Sequence, residues 1–249
     1  MSEPYDTLDK EWRSACRILF SRDLGPLSDY ASFLSRYSEP LRKEKSALSG
    51  QDAYFSSHYA KGCQFALFEE KAQLRELKLP VSALRDIDSI RQSMGEIAYY
   101  AGSKVLGNSS NCAGSDNVID SSFVLDSHEI LTSAYVAYSE LTINSKHLFG
   151  CSSIGDSQFC VNACEFSNAA RVFESVDVYD SRDVYYCYYC RNCADCLFSL
   201  NQHSKRHLIG NVLFEKNKYL EMKSDLLCQL ADELLARKSA PHLSDFGGK

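Results

Sequence analysis

The residues best equipped for chemistry are thiols. The segment CYYCRNCADC spaces Cys187, Cys190, Cys193 and Cys196 by two-residue gaps, close to the run that ligates an iron–sulfur cluster. His203 and His207 stand four apart, as two zinc ligands on a helix would, but no Glu follows His203. With Lys205 and Arg206 between them they read instead as a solvated basic turn. Asp116, Asp120, Asp126, Asp156, Asp177, Asp180 and Asp183 fit two chemistries, a sugar-cleaving carboxylate cleft or the turn residues of a repetitive fold. Tyr185, Tyr186, Tyr188 and Tyr189 cluster rings of the amphipathic kind that anchors interfaces, the alternative being that the N-terminal helices cover them. The sequence contains no Gly-rich phosphate loop, nucleophile elbow or Ser/His/Asp spacing.

The elements that position these groups follow from one repeat. From Ser103 in steps of six to Ser199, all 17 positions are Ser, Cys or Ala. The positions halfway between, from Leu106 to Cys196, are apolar except for Thr142. A strict three-residue step drifts around a 3.6-residue helix, whereas a solenoid of short strands and corners keeps such a row permanently inside. Seven of the eight cysteines in the repeat, Cys187, Cys190, Cys193 and Cys196 among them, lie on these rows, so they are expected to pack as small hydrophobes. No metal or other cofactor is expected, the alternative being a metal site on those four.

The apolar position that follows an inward one alternates with period 12: Leu125, Ala137, Phe149, Val161, Phe173, Tyr185 and Leu197 are apolar, while Leu131, Ile143, Gly155, Ser167, Tyr179 and Arg191 are mixed. Twelve divides 24 but not 18. The expectation is therefore a right-handed parallel β-helix of about four 24-residue coils rather than an 18-residue left-handed one, with the coils too short to build a carboxylate cleft.

The expected organisation is an N-terminal helical region (1–100), a mainly β parallel β-helix (101–214), a C-terminal capping helix (215–238) and a flexible tail (239–249). Leu8, Trp12, Ala15, Cys16, Leu19 and Phe20 fall on one helical stripe. A second helix is expected after Pro26, stopped or kinked at Pro40 and followed by a solvated basic run. A third, capped by Ser82, would carry Leu84, Ile87, Ile90, Met94 and Ile97, while 49–73 reads as partly strand. Leu220, Leu227, Leu230 and Leu234 share a face of the C-terminal helix, where a solenoid end needs covering.

Residues 192–223, with Asn-Cys-x-x-Cys, the following Leu and Asn, and an Asn before Lys-Tyr, resemble the end of uncharacterised Cys-rich β-helix proteins of bacteria and archaea; SALSGQDAYFSSHYA at 46–60 resembles their lead-in. That resemblance implies a fold. A weaker one is to the β-helix domain of tubulin cofactor C and cyclase-associated proteins, which implies a GTPase-activating Arg. Arg171 sits in similar surroundings, although Ala169 replaces the Gln of that pattern.

A chain of 249 residues with formal net charge −6, 45% hydrophobic and 24% charged, has the composition of a globular protein and no electrostatic reason to bind nucleic acid or anionic lipid. The start MSEPYDTLDKEW lacks the pattern of a signal peptide, no apolar run is long enough to span a bilayer, and the 11 cysteines are odd in number. The expectation is a cytoplasmic, non-catalytic scaffold or protein–protein interaction protein. Its protein partner would be read by Tyr185, Tyr186, Tyr188, Tyr189 and Arg171. The alternatives are a GTPase regulator acting through Arg171 and a carbohydrate-active or acyl-transfer enzyme.

Overall fold

The computed structural model describes residues 3–57, 59 and 62–246. From about residue 105 the chain winds into a parallel β-solenoid of about nine turns. From Ser110 to Leu197 the coils contribute four-residue strands to each of two sheets, a ten-stranded and an eight-stranded one, and partners in neighbouring coils lie twelve residues apart, as in Val124↔Val136↔Leu148 and Thr142↔Ile154↔Phe166; only the two-residue strand Val105–Leu106 pairs thirteen residues on. The coil is thus 12 residues, not 24. The period-12 alternation was the coil itself, and the longer coil is a multiple that satisfies the same pattern.

So tight a winding leaves four inward side chains per coil, two apolar ones on the strands and two Ser-type ones at the corners. Every row position from Ser115 to Ser199 is buried; only the first coil's positions are partly open. A corner cannot close its hydrogen bonds by strand pairing alone, and the Ser hydroxyl completes them. Ser145 Oγ donates to the Ile143 carbonyl (2.8 Å) and accepts the Ser157 amide (3.1 Å) one coil later, and Ser121, Ser127, Ser133 and Ser139 repeat the arrangement. This is why the corners admit Ser, tolerate Cys or Ala and exclude larger groups. One outer corner has positive φ from Asp120 to Ser204 in steps of twelve, and six of those eight residues are Asp or Asn, which reach the left-handed region at lowest cost among residues with a side chain.

Among the described residues the α-helices that pack on the solenoid lie on the ten-stranded sheet. Helix α1 (Glu3–Phe20) crosses the ten-stranded sheet, with Trp12 edge-on to Phe149 and Phe20 edge-on to Phe173. The period-12 apolar row is the surface it covers. The stretch after Pro26 forms turns of 3-10 helix around α2 (Ala31–Leu34) and ends before Pro40. Gly150, at φ +74°, lets this stretch approach, because a Cβ there would lie 2.5 Å from the Leu34 carbonyl oxygen.

The N-terminal region is not wholly helical. The expected basic run is strand β1 (Arg42–Lys45), antiparallel to β2 (Asp52–Phe55), and β3 (Gln64–Leu67) pairs in parallel with β4 (Tyr99–Gly102). Between them lie α3 (Lys71–Leu74) and α4 (Ile87–Ser93). The cap of α4 is Asp86, which accepts the Ser89 amide, rather than Ser82, and Leu84, Ile87 and Met94 are exposed instead of forming a buried stripe. This module meets the first coil through Tyr54, which exchanges hydrogen bonds with Ser103, and the second through Ser56, whose amide and hydroxyl both donate to Asp116 at 2.9 Å.

At the other end the strand Arg206–Ile209 turns back antiparallel into Val212–Leu213. Asn211 closes the neighbouring edge: its Oδ1 accepts the Leu200 amide (2.8 Å) and its Nδ2 donates to the Leu200 carbonyl (3.1 Å), the two bonds a further strand would have made. Helix α5 (Lys216–Arg237) then folds back beside α1 with Leu227, Leu230 and Leu234 buried, so it covers the side of the solenoid, and Leu220 stays exposed. The expected flexible tail is pinned. Arg36 donates to the Ala240 carbonyl (2.9 Å), and the Leu243 amide donates to the buried Glu174, which also pairs with Arg36 and Tyr37. Residues 247–249 lie outside the described residues.

Candidate functional site

Cys187, Cys190, Cys193 and Cys196 are the four inward residues of a single coil, stacked on Ser175, Val178, Ser181 and Val184 of the coil before. All four are buried. Their thiols lie against backbone carbonyls, Cys187 on Cys196 O at 3.4 Å and Cys190 on Ser199 O at 3.4 Å. Burial pushes the Cys187 thiol well up and Cys196 up to about 12, whereas the hydrogen bond with Cys187 pulls Cys190 down to about 7; Cys187 and Cys196 stay protonated, and Cys190 is shielded by its complete burial. Among the described residues no group of three or more His, Cys, Asp or Glu is placed to hold a metal ion. His203 meets Ser204 and His207 packs on Tyr219, neither on a helix.

The seven aspartates do not converge. Asp120, Asp126, Asp156 and Asp180 sit at corners with positive φ, as turn residues do, Asp177 and Asp183 lie within strands, and Asp116 is buried under Ser56 and Lys104. Arg171 lies on the helix-covered sheet, with Nε and one terminal nitrogen on the two carboxylate oxygens of Asp183 at 2.7 and 2.6 Å. Lys223 of α5 adds to the same acidic pair, 3.1 Å from Asp195 and 3.8 Å from Asp183. This fork-on-fork pairing orients the guanidinium toward its own chain and docks α5.

The four tyrosines divide. All point out of the coil, but Tyr185 is 1% exposed under α1, its hydroxyl donating to the Leu19 carbonyl, and Tyr186 is 1% exposed under the C-terminal segment, donating to Pro241. Their expected place on an open binding face is therefore corrected. An outward position in a coil meets water only where no second layer covers it. Tyr188 and Tyr189 are open, at 42% and 46%.

These two belong to the outer face of the eight-stranded sheet, which no helix among the described residues covers along its middle. Leu131, Leu141 and Ile143 are exposed on the same face. Between Ile143 and Tyr179 the small residues Ser153, Gly155 and Ser167 sink a trough of about 450 Å³. Arg191 lies over the Tyr179 ring at 4.9 Å and the Tyr189 ring at 5.1 Å, which holds the aromatic end of the face in place. Leu141 escaped the sequence reading because it sits at neither an inward position nor a row of the period-12 alternation. The mixed row of Leu131 and Ile143 did carry a signal, since apolar residues that fail to continue down a row have no packed layer above them.

No family model, curated protein or solved structure matches the chain. No helix among the described residues is long and apolar enough to cross a membrane.

Proposed function

We propose that this chain is an interaction protein, without catalysis of its own, that presents the bare outer face of its eight-stranded sheet to a protein partner. The observation that carries this reading is the asymmetry of the solenoid. One sheet is buried beneath α1 and α5, while the other leaves Leu131, Leu141, Ile143, Tyr188 and Tyr189 in water on a surface made rigid by continuous strand pairing. Contiguous exposed apolar groups on a rigid scaffold mark association surfaces. Seven strands of four residues and one of two offer about 450 Å² of flat face, so the interface would bury roughly 900 Å² in all, the size of a transient contact rather than an obligate dimer.

The Cys-rich β-helix proteins of bacteria and archaea remain the kinship we favour, supported by residues 192–223. Cytoplasmic residence is part of the same proposal, supported by the 11 free thiols. The experiment is affinity capture from the native source with the parent chain and with Leu141→Ser/Ile143→Ser/Tyr189→Ser. All three side chains are exposed, so the variant should keep its thermal midpoint and lose the captured partner. A partner retained by the triple variant, or none captured by the parent chain, refutes the face.

A further inference from the structure

The pinned C-terminal segment does more than cover Tyr186. Beside it runs a slot of about 380 Å³. The floor is Val176, Tyr188 and Leu200, one residue from each of three successive coils in direct register. Tyr186 and Phe198 form one wall, their rings stacked 5.1 Å apart and 6° from parallel. Phe246 stands edge-on to both rings, at 4.9 and 5.5 Å, and brings the C-terminal segment into the opposite wall. The anchoring at Glu174 lies just upstream, so the wall is preformed rather than recruited.

Three observations define the occupant. Among the described residues the lining contains no Asp, Glu, Lys or Arg, and its polar side chains are the tyrosine hydroxyls, Ser244 and His242, whose Nδ1 is already engaged by Ser244, so a charged ligand would lose its hydration without gaining a fixed opposite charge. The volume lies at the small end of the range for small-molecule pockets. Three large apolar side chains around this one slot, Tyr188, Leu200 and Phe246, are 42%, 43% and 47% exposed, and an apolar occupant would cover all three. Aromatic rings line it on several sides, and they pack best against other flat rings, offset or edge-on. We propose that the slot is a binding site for a small, uncharged, ring-bearing molecule; it shares Tyr188 with the far end of the protein-docking face but lies apart from that face's centre at Leu141 and Ile143.

The test uses the full chain and N-phenyl-1-naphthylamine, a neutral aromatic dye that brightens on leaving water. Saturable one-site binding is expected. Leu200→Asp, which places a charge on the floor at an exposed position, should weaken it at least tenfold, and Phe246→Ala should weaken it several-fold by removing the wall. Ile143→Asp, on the same sheet but outside the slot, should leave it unchanged, and the anionic analogue 8-anilino-1-naphthalenesulfonate should bind at least tenfold more weakly than the neutral dye. Non-saturable uptake, equal loss with Ile143→Asp, or equal affinity for the anionic dye would overturn the proposal. None of these results bears on partner capture, so the two readings fail independently. If Leu200→Asp unfolds the chain by circular dichroism, the Phe246→Ala comparison decides.

Discussion

Replacing Ser145 by Ala removes one hydroxyl, and the structure fixes what that hydroxyl does. It is 1% exposed, donates to the Ile143 carbonyl and is the acceptor for the Ser157 amide. The Ile143 carbonyl keeps the Asp156 amide as a second partner, so its loss amounts to one ordinary hydrogen bond, about 1 kcal/mol. The Ser157 amide is left buried with no acceptor, a further cost of about 1–3 kcal/mol. The expected destabilisation is therefore about 2–4 kcal/mol, a large share of the roughly 5–15 kcal/mol of a typical domain. Ser145→Cys should cost about half as much, because a thiol is a weak acceptor and Cys already occupies the equivalent corners at 151, 187 and 193. Ala169→Ser should stabilise, since Ala169 has no oxygen to offer the Ser181 amide where the ladder breaks. Urea midpoints at constant m-value measure the three differences, and amide hydrogen exchange at Ser157 reports the loss locally. A Ser145→Ala chain within half a kcal/mol of the parent, with the Ser157 amide as protected as before, would refute the reasoning.

Asp183 should make stability depend on acid. Burial raises its pKa, but the Arg171 hydrogen bonds and the charge of Lys223 outweigh burial and hold it below the ordinary carboxylate value. Its stabilisation is therefore full above about pH 4 and is lost as pH falls through the depressed value. Asp183→Asn should cost about 1.5–3 kcal/mol at pH 7, and the gap from the parent should narrow below pH 4 in urea titrations. For the thiols, a chromogenic disulfide reagent should label the exposed Cys228 promptly and leave Cys187, Cys190, Cys193 and Cys196 untouched until urea unfolds the chain.

The inward rows were legible because burial acts on every coil alike. A residue type that is wrong at one inward position leaves a void, a clash or an orphaned amide, so Ser, Cys, Ala and the β-branched residues recur without a gap. Coil length was harder to read, because the three-residue inward step is the same for coils of 12 or 24 residues. It depends on which strands pair, and backbone pairing leaves no mark on side-chain polarity. The deciding signal was the outer row of Leu125, Phe149, Phe173 and Tyr185, whose shortest period is the coil. Tyr185 and Tyr186 were misplaced for a related reason. Their outward direction from the coil was right, but the second layer over them comes from Leu19 and Pro241, about 166 and 55 residues away in sequence. The stripe of Leu84, Ile87 and Met94 met the opposite failure: it has helical spacing, but among the described residues nothing packs over it and all three stay exposed.

Growth of this fold is quantised. Inserting one twelve-residue unit between coils lengthens the solenoid by about 4.8 Å and returns every downstream side chain to the face it left, so Tyr185 and Leu197 still meet the helices. A six-residue insertion preserves the alternation of small and apolar inward residues just as well, yet carries the downstream chain half a turn round. Tyr179 and Arg191 would then face α1 and α5, and the aromatic row would face water. The interior would not register the error; only the unmatched outer faces would. Length variants of this chain should therefore differ by multiples of twelve residues, with the helical layer acting as the proofreader of a core that cannot tell one half of a coil from the other.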